Sequence, residues 1–194
     1  MSSYLKGMEE LQILFLKDQN VNVSVDENGK SLEENAQKKA IEISKKTEFL
    51  TLASDGGVDI PALGNDWNIL ENQRIIGQDS SDIQKAEKLL EMMQDVDWNE
   101  RRVEFHHALA LAKGGRLLWS DEKVTERGYI ATHLPDKNIP KCKWISHLWY
   151  YPEFGKVYNK LEDFELKKVR EQSKELRESL QNAIADILDK RDVF

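Results

Sequence analysis

Residues 97–115 read DWNERRVEFHHALALAKGG, and the secondary structure of this stretch decides the fold class. Asp97 is a typical helix N-cap, and a glutamate three residues later completes a capping box. The run 108–112 is apolar nearly all round, and Gly114-Gly115 favours a left-handed helix end. We therefore predict a central, buried helix over 97–113.

Helical spacing continues on both sides of this stretch. A capping box of Ser31 and Glu34 predicts one helix over about 31–46, and apolar residues on one face predict another over about 81–94. From 161 to 191 there is no proline or glycine, and apolar residues recur in steps of three and four. This spacing is typical of a helix that packs lengthwise on another helix. We predict a long C-terminal amphipathic helix over 161–191, packed on the domain or on a partner.

Strand patterns are short by comparison. Alternating or β-prone runs occur near 20–25, 116–119 and 129–134, and the last two are joined by a charged loop that suits a hairpin. The sequence therefore predicts an α+β fold that is predominantly α-helical, with a helical bundle-like core and a small β element. We expect a mainly helical globular domain over 1–160, followed by the helix over 161–191.

Composition limits the class of protein. The chain has 194 residues, of which 32% are charged, and a single cysteine, Cys142. One cysteine allows no internal disulfide, which is typical of a reducing compartment. No apolar run reaches the 18 residues that a membrane span needs. We predict a cytoplasmic protein with no membrane segment and no cofactor.

Charge is divided unevenly along the chain. Residues 1–100 carry a net charge of −10, residues 101–160 a net charge of +5, and residues 161–194 a net charge of −2. The basic segment either pairs with the acidic half or offers a face to an anionic partner such as nucleic acid. The sequence leaves both interpretations open.

The first candidate site lies in the basic segment. Arg102 and His106 are four residues apart, which places them on one face of a helix, and Arg101 and His107 flank them. An imidazole beside a phosphate-binding guanidinium suits metal-free RNA cleavage. Arg101 to His106 and Arg102 to His107 also have four residues between arginine and histidine, and this spacing resembles that of HEPN-type ribonucleases, which usually have a small polar residue after the arginine. Alternatively, the arginines pair with the acidic half and a histidine lies in the core.

The second candidate is a zinc site formed by His133, Cys142 and His147. Imidazole and thiolate are the ligands that zinc prefers. Structural zinc sites usually show two close ligand pairs, however, and these three residues are spaced singly. We therefore predict no metal, and interpret them as a buried thiol and two ordinary histidines.

The third candidate is a cluster of aromatic rings beside lysines. Such a cluster can anchor a partner protein or stack bases, although some of its rings must pack in the core. The candidate partner-binding residues are Trp144, Trp149, Tyr150, Tyr151, Phe154, Lys141 and Lys143.

Common catalytic motifs are absent, including a phosphate-binding P-loop, Gly-x-Gly-x-x-Gly, His-Glu-x-x-His and Gly-x-Ser-x-Gly. The favoured hypothesis is a non-enzymatic interaction module: an adaptor, inhibitor or complex subunit. It would bind a protein partner or itself through the aromatic, basic surface and the C-terminal helix. The alternative is a metal-independent ribonuclease or RNA-binding protein that uses Arg101, Arg102, His106 and His107.

Overall fold

The computed structural model describes residues 2–19, 21, 23–134 and 144–189. The α-helices are α1 (Leu32–Ser44), α2 (Asn72–Ile76), α3 (Asp82–Met92), α4 (Asp163–Glu171) and α5 (Lys174–Asp189). The strands are β1 (Thr51–Asp59), β2 (Arg102–Lys113), β3 (Arg116–Ile130), β4 (Trp149–Tyr151) and β5 (Lys156–Val157). Short 3-10 helices cover Ser2–Leu5, Leu16–Asp18, Pro61–Asp66, Trp98–Glu100, Trp144–His147 and Tyr158–Lys160.

The strands form a five-stranded sheet in the order β1-β2-β3-β4-β5. A two-residue turn, Gly114-Gly115, joins β2 to β3, and its φ angles of 57° and 80° are both positive. Two positive φ angles are what a type I′ hairpin turn requires, and glycine adopts them without strain. β4 pairs antiparallel with β3 and with β5, so that Tyr150 lies opposite both Tyr129 and Val157.

The sheet shows that the prediction of a helical bundle-like core is wrong. The predicted helix over 97–113 is a short 3-10 helix followed by strand β2. In β2 leucine alternates with alanine, and Leu109 and Leu111 pack in one hydrophobic cluster. Residues 108–112 are all buried, and a short apolar run of this kind suits a strand that is covered on both faces. The glycine pair that was interpreted as a helix end is the hairpin turn.

Three further element predictions need correction. Residues 21 and 23–25 have no regular structure, so the described part of the predicted strand over 20–25 is not a strand. The charged loop predicted between the strands at 116–119 and 129–134 is itself strand, because β3 runs without a break from Arg116 to Ile130, and residues 131–134 lie beyond its end. The predicted helix over 161–191 is two helices, α4 and α5, with a break after Glu171. The division of the chain into 1–160 and 161–191 stays a prediction.

Two helix starts are confirmed. The Ser31 hydroxyl accepts a hydrogen bond from the backbone N–H of Glu34 at the start of α1. At the start of α3, Ser81 and Gln84 form a reciprocal capping box. In each case the serine hydroxyl accepts a hydrogen bond from a backbone N–H of the first helical turn, which has no partner within the helix.

The chain divides into two compact units, and the first contains residues 1–56, 107–123 and 173–194. Here α1 packs beside the β2–β3 hairpin: Gln37 Nε2 donates to Ser120 Oγ at 2.9 Å, and Gly115 N donates to Ser44 Oγ at 2.9 Å. A separate apolar cluster joins α5 to β2. Its buried members are Tyr4, Leu109, Leu111, Leu176, Leu180 and Ile184.

The second unit contains residues 57–106 and 124–172. Its core brings α3 together with strands β2, β3 and β4. The core residues with less than 2% exposure are Ile60, Ile76, Ala86, Leu89, Met93, Val103, Ile130, Leu148 and Tyr151. No helix in the described part of the chain is both long and apolar enough to span a bilayer.

Candidate functional site

In the first unit, Lys39 of α1 lies between two carboxylates. Its Nζ is 2.9 Å from Asp55 Oδ1 and 3.2 Å from Glu27 Oε1. The carbonyl oxygen of Ser54 is 3.4 Å away and supplies a third acceptor. An ammonium has three hydrogens to donate, so this arrangement fixes its position.

The local structure explains why these side chains meet. Ala36 and Ala40 of α1 are fully buried, and Lys39 lies beside them on the helix surface. Asp55 lies in β1, two residues after Ala53, which is buried. A lysine at the margin of a buried helix face can extend its apolar stem along the protein and hold its charge near the sheet.

Exposure differs among the three charged groups. The side chains of Lys39 and Asp55 are 19% and 14% exposed, whereas that of Glu27 is 57% exposed. Lys39 and Asp55 are therefore largely shielded from water, whereas the Glu27 side is open to solvent. Partly desolvated charges interact more strongly than surface charges. Carboxylates can hold a divalent cation, and an ammonium can bind a phosphate oxygen.

Arg101, a candidate in the predicted ribonuclease site, is 3% exposed. Its guanidinium donates to backbone carbonyl oxygens, among them those of Val96, Ile130 and Ala131. Burial lowers the pKa of Arg101. Arg102 is exposed at the first position of β2. The two arginines therefore do not form a paired phosphate-binding surface.

His106 and His107 are adjacent residues of β2, so their side chains point to opposite faces of the strand. His106 Nε2 is 3.6 Å from Glu104 Oε2. His107 Nδ1 is 2.9 Å from the Tyr4 hydroxyl. The geometry that the predicted helix would have given to Arg102 and His106 is absent, because this stretch is a strand.

Burial lowers the pKa of His107 from 6.5 to about 4. The unfolded chain therefore takes up a proton before the folded chain does, and stability falls as the pH drops from 6.5 towards 4. Between pH 7 and pH 5 we expect wild type to lose about 1–2 kcal/mol more unfolding free energy than His107→Gln, which cannot titrate. Urea denaturation at both pH values measures this. Parallel losses in the two proteins would contradict it.

The predicted zinc ligands are not brought together in the described residues. His133 is exposed and lies within 3.2 Å of the Thr132 hydroxyl. His147 is 2% exposed and its Nδ1 is 3.0 Å from Asn159 Nδ2. Cys142 lies outside the described residues. Among those that are described, no group of three or more histidine, cysteine, aspartate or glutamate side chains is placed to hold a metal ion.

The aromatic candidates lie mostly in the core of the second unit. Trp144, Trp149 and Tyr151 are buried, which corrects the expectation of an accessible surface for these three rings. Tyr150 and Phe154 are half-buried. Lys141 and Lys143 lie outside the described residues. Binding of a protein partner, self-association and contact with nucleic acid through 101–160 stay predictions.

Sequence reasoning missed Glu27, Lys39 and Asp55. The residues are separated by 12 and 16 positions and form no local motif. Asp55 is followed by two glycines, which are typical of a loop, yet it lies inside β1. The only sequence signal for this site was the position of Lys39 beside the apolar face of the capped helix α1.

Comparison with known proteins gives consistent matches. Residues 1–137 match the family described as the Ham1 family. The dITP/XTP pyrophosphatase of Clostridium perfringens is 35% identical over 101 residues, which cover 49% of this chain and 49% of that protein. The dITP/XTP pyrophosphatase of Geobacillus kaustophilus is 29% identical over 174 residues, covering 88% of this chain and 80% of that protein.

A solved structure supports the fold. The HAM1 protein from Coxiella burnetii superposes with a TM-score of 0.72 at 23% identity, covering 93% of this chain and 92% of that one. The chain spans about half the length of the Clostridium relative that it matches. These matches overturn the expectation of a non-enzymatic interaction module, and with it the ribonuclease alternative, because the matched relatives are named as pyrophosphatases.

Proposed function

Because the chain belongs to the Ham1 family, we propose that it is a nucleoside-triphosphate pyrophosphatase that acts on dITP and XTP. We place its phosphate-binding site at Glu27, Lys39 and Asp55. The observation that carries the proposal is the Lys39 ammonium held between two carboxylates. The names of the relatives support the reaction, and the geometry supports the location.

The chemistry of the site agrees with phosphoryl transfer. Such reactions depend on positioning the phosphates and on stabilising their charge. In the proposed reaction, water attacks the α-phosphorus, the bond between the α-phosphorus and the bridging oxygen breaks, and pyrophosphate leaves. The products are a nucleoside monophosphate, pyrophosphate and a proton. On binding the substrate, Lys39 would exchange one of its present acceptors for a phosphate oxygen and stabilise the negative charge of the leaving group.

The two carboxylates fit a magnesium ion bound with the triphosphate. Mg²⁺ prefers oxygen ligands and is usually held by one or two carboxylates together with substrate phosphates. Asp55 and Glu27 would supply these carboxylates, and the bound ion would neutralise phosphate charge. The same carboxylates orient Lys39.

We expect purified protein to convert dITP and XTP to their monophosphates and pyrophosphate, at least about 10-fold more efficiently in kcat/KM than dATP. The products are separated by ion-exchange chromatography, and pyrophosphate is detected with an enzyme-coupled assay. Chelation of divalent cations should stop the reaction. Release of orthophosphate in place of pyrophosphate, or no turnover of either nucleotide with Mg²⁺ present, would refute the proposal.

The cellular location belongs to the same proposal. We infer a cytoplasmic enzyme, supported by the single cysteine, which is typical of a reducing compartment.

A further inference from the structure

The loop at residues 27–29 is attached to α1 by three side-chain contacts. Asn35 Oδ1 accepts a hydrogen bond from Gly29 N at 2.7 Å. Lys38 Nζ donates to Asn28 Oδ1 at 3.0 Å, and Lys39 Nζ is 3.2 Å from Glu27 Oε1. Consecutive residues of the loop therefore contact one side of the helix.

The contact between Asn35 and Gly29 is the enclosed one. Asn35 is 4% exposed, whereas Glu27 and Asn28 are exposed. Asparagine is unfavourable inside a helix unless its side chain makes a specific hydrogen bond. Gly29 is needed for space, since a Cβ there would be 2.5 Å from Asn35 Oδ1. Asn35 supplies the hydrogen-bond acceptor and Gly29 leaves the space for it, so that the loop lies close to the helix.

We propose that Asn35 is a positioning residue for the reaction. By holding the amide of Gly29, it fixes the loop so that the Glu27 carboxylate stays on Lys39, opposite Asp55. Glu27 is mostly exposed and has no burial of its own to hold it in place. This inference rests on the proposed function and assigns a role to a residue that does not touch the phosphates.

Asn35→Leu keeps the size of the side chain and removes the acceptor. We expect kcat for dITP to fall about 10- to 100-fold with a smaller change in KM, because displacement of a reacting group by about 1 Å costs up to about 100-fold in rate. Gly29→Ala disturbs the same contact from the loop side and should likewise lower kcat more than it changes KM. Ser44→Ala is the matched control, because Ser44 also accepts the N–H of a glycine, at the other end of α1. It should change stability without changing kcat.

A double-mutant cycle with Glu27→Gln tests whether Asn35 acts through Glu27. If it does, the double variant is no slower than Glu27→Gln alone. Multiplied losses would show that Asn35 has only a general structural role and would overturn the inference. Hydrogen exchange at the Gly29 amide gives an independent readout, and it should be at least about 10-fold faster in Asn35→Leu. Inactive wild-type protein would instead refute the proposed function.

Discussion

Lys39→Met is expected to lower kcat/KM for dITP by about 100- to 1000-fold, the loss found when a single charge-stabilising donor is removed from an active site. The ammonium is the cation between Glu27 and Asp55, and no hydrogen bond from the methionine side chain can replace it. The loss should appear in kcat as well as KM, because phosphate charge develops during the reaction. Steady-state kinetics with a coupled pyrophosphate assay measures both constants.

Lys45→Met provides the control for Lys39→Met. Lys45 follows α1 and pairs with Glu42 in an exposed ion pair, so its removal should change kcat/KM less than about 2-fold. Circular dichroism and denaturation must show that both variants are folded. A folded Lys39→Met protein that keeps wild-type kinetics would move the active site away from α1.

The sequence predicted local structure well where one interaction decides it. The N-cap Ser31 is an example, because a serine hydroxyl and the N–H groups of the next turn are neighbours in the chain. Residues 102–113 were predicted wrongly because apolar residues on every side suit a buried helix and a buried strand equally. The turn at Gly114-Gly115 should have favoured the strand, since such a pair between apolar runs is typical of a hairpin.

The break in the predicted C-terminal helix coincides with a tertiary contact. Neither proline nor glycine marks it, and the three-and-four spacing continues through it. At the break, however, Gln172 Oε1 accepts a hydrogen bond from Arg127 N of β3 at 2.8 Å. A contact 45 residues away in sequence cannot be inferred from local periodicity. The candidate site was unpredictable for the same reason, because Glu27, Lys39 and Asp55 meet only after α1 packs beside β1.

Arg101→Met is expected to lower the unfolding free energy by about 3–5 kcal/mol, the range for breaking a buried polar network. Nε donates to the Ile130 carbonyl at 2.9 Å and Nη2 to the Ala131 carbonyl at 3.0 Å. Nη1 donates to the carbonyls of Met93 and Val96, just beyond α3. The guanidinium thus joins the end of α3 to the end of β3, and methionine would remove all of these side-chain donors.

Arg102→Met is the matched control for Arg101→Met, because it removes the same charge from the next residue, which is exposed. Its effect should stay within about 0.5 kcal/mol. Arg101→Lys should fall between the two, since one ammonium cannot reproduce the planar fork of donors. Urea denaturation orders the three variants, and similar losses for Arg101→Met and Arg102→Met would contradict the structural role of Arg101. These measurements are made without nucleotide. A guanidinium that only binds phosphate would not contribute to the unfolding free energy under these conditions, whereas one that supports the backbone would.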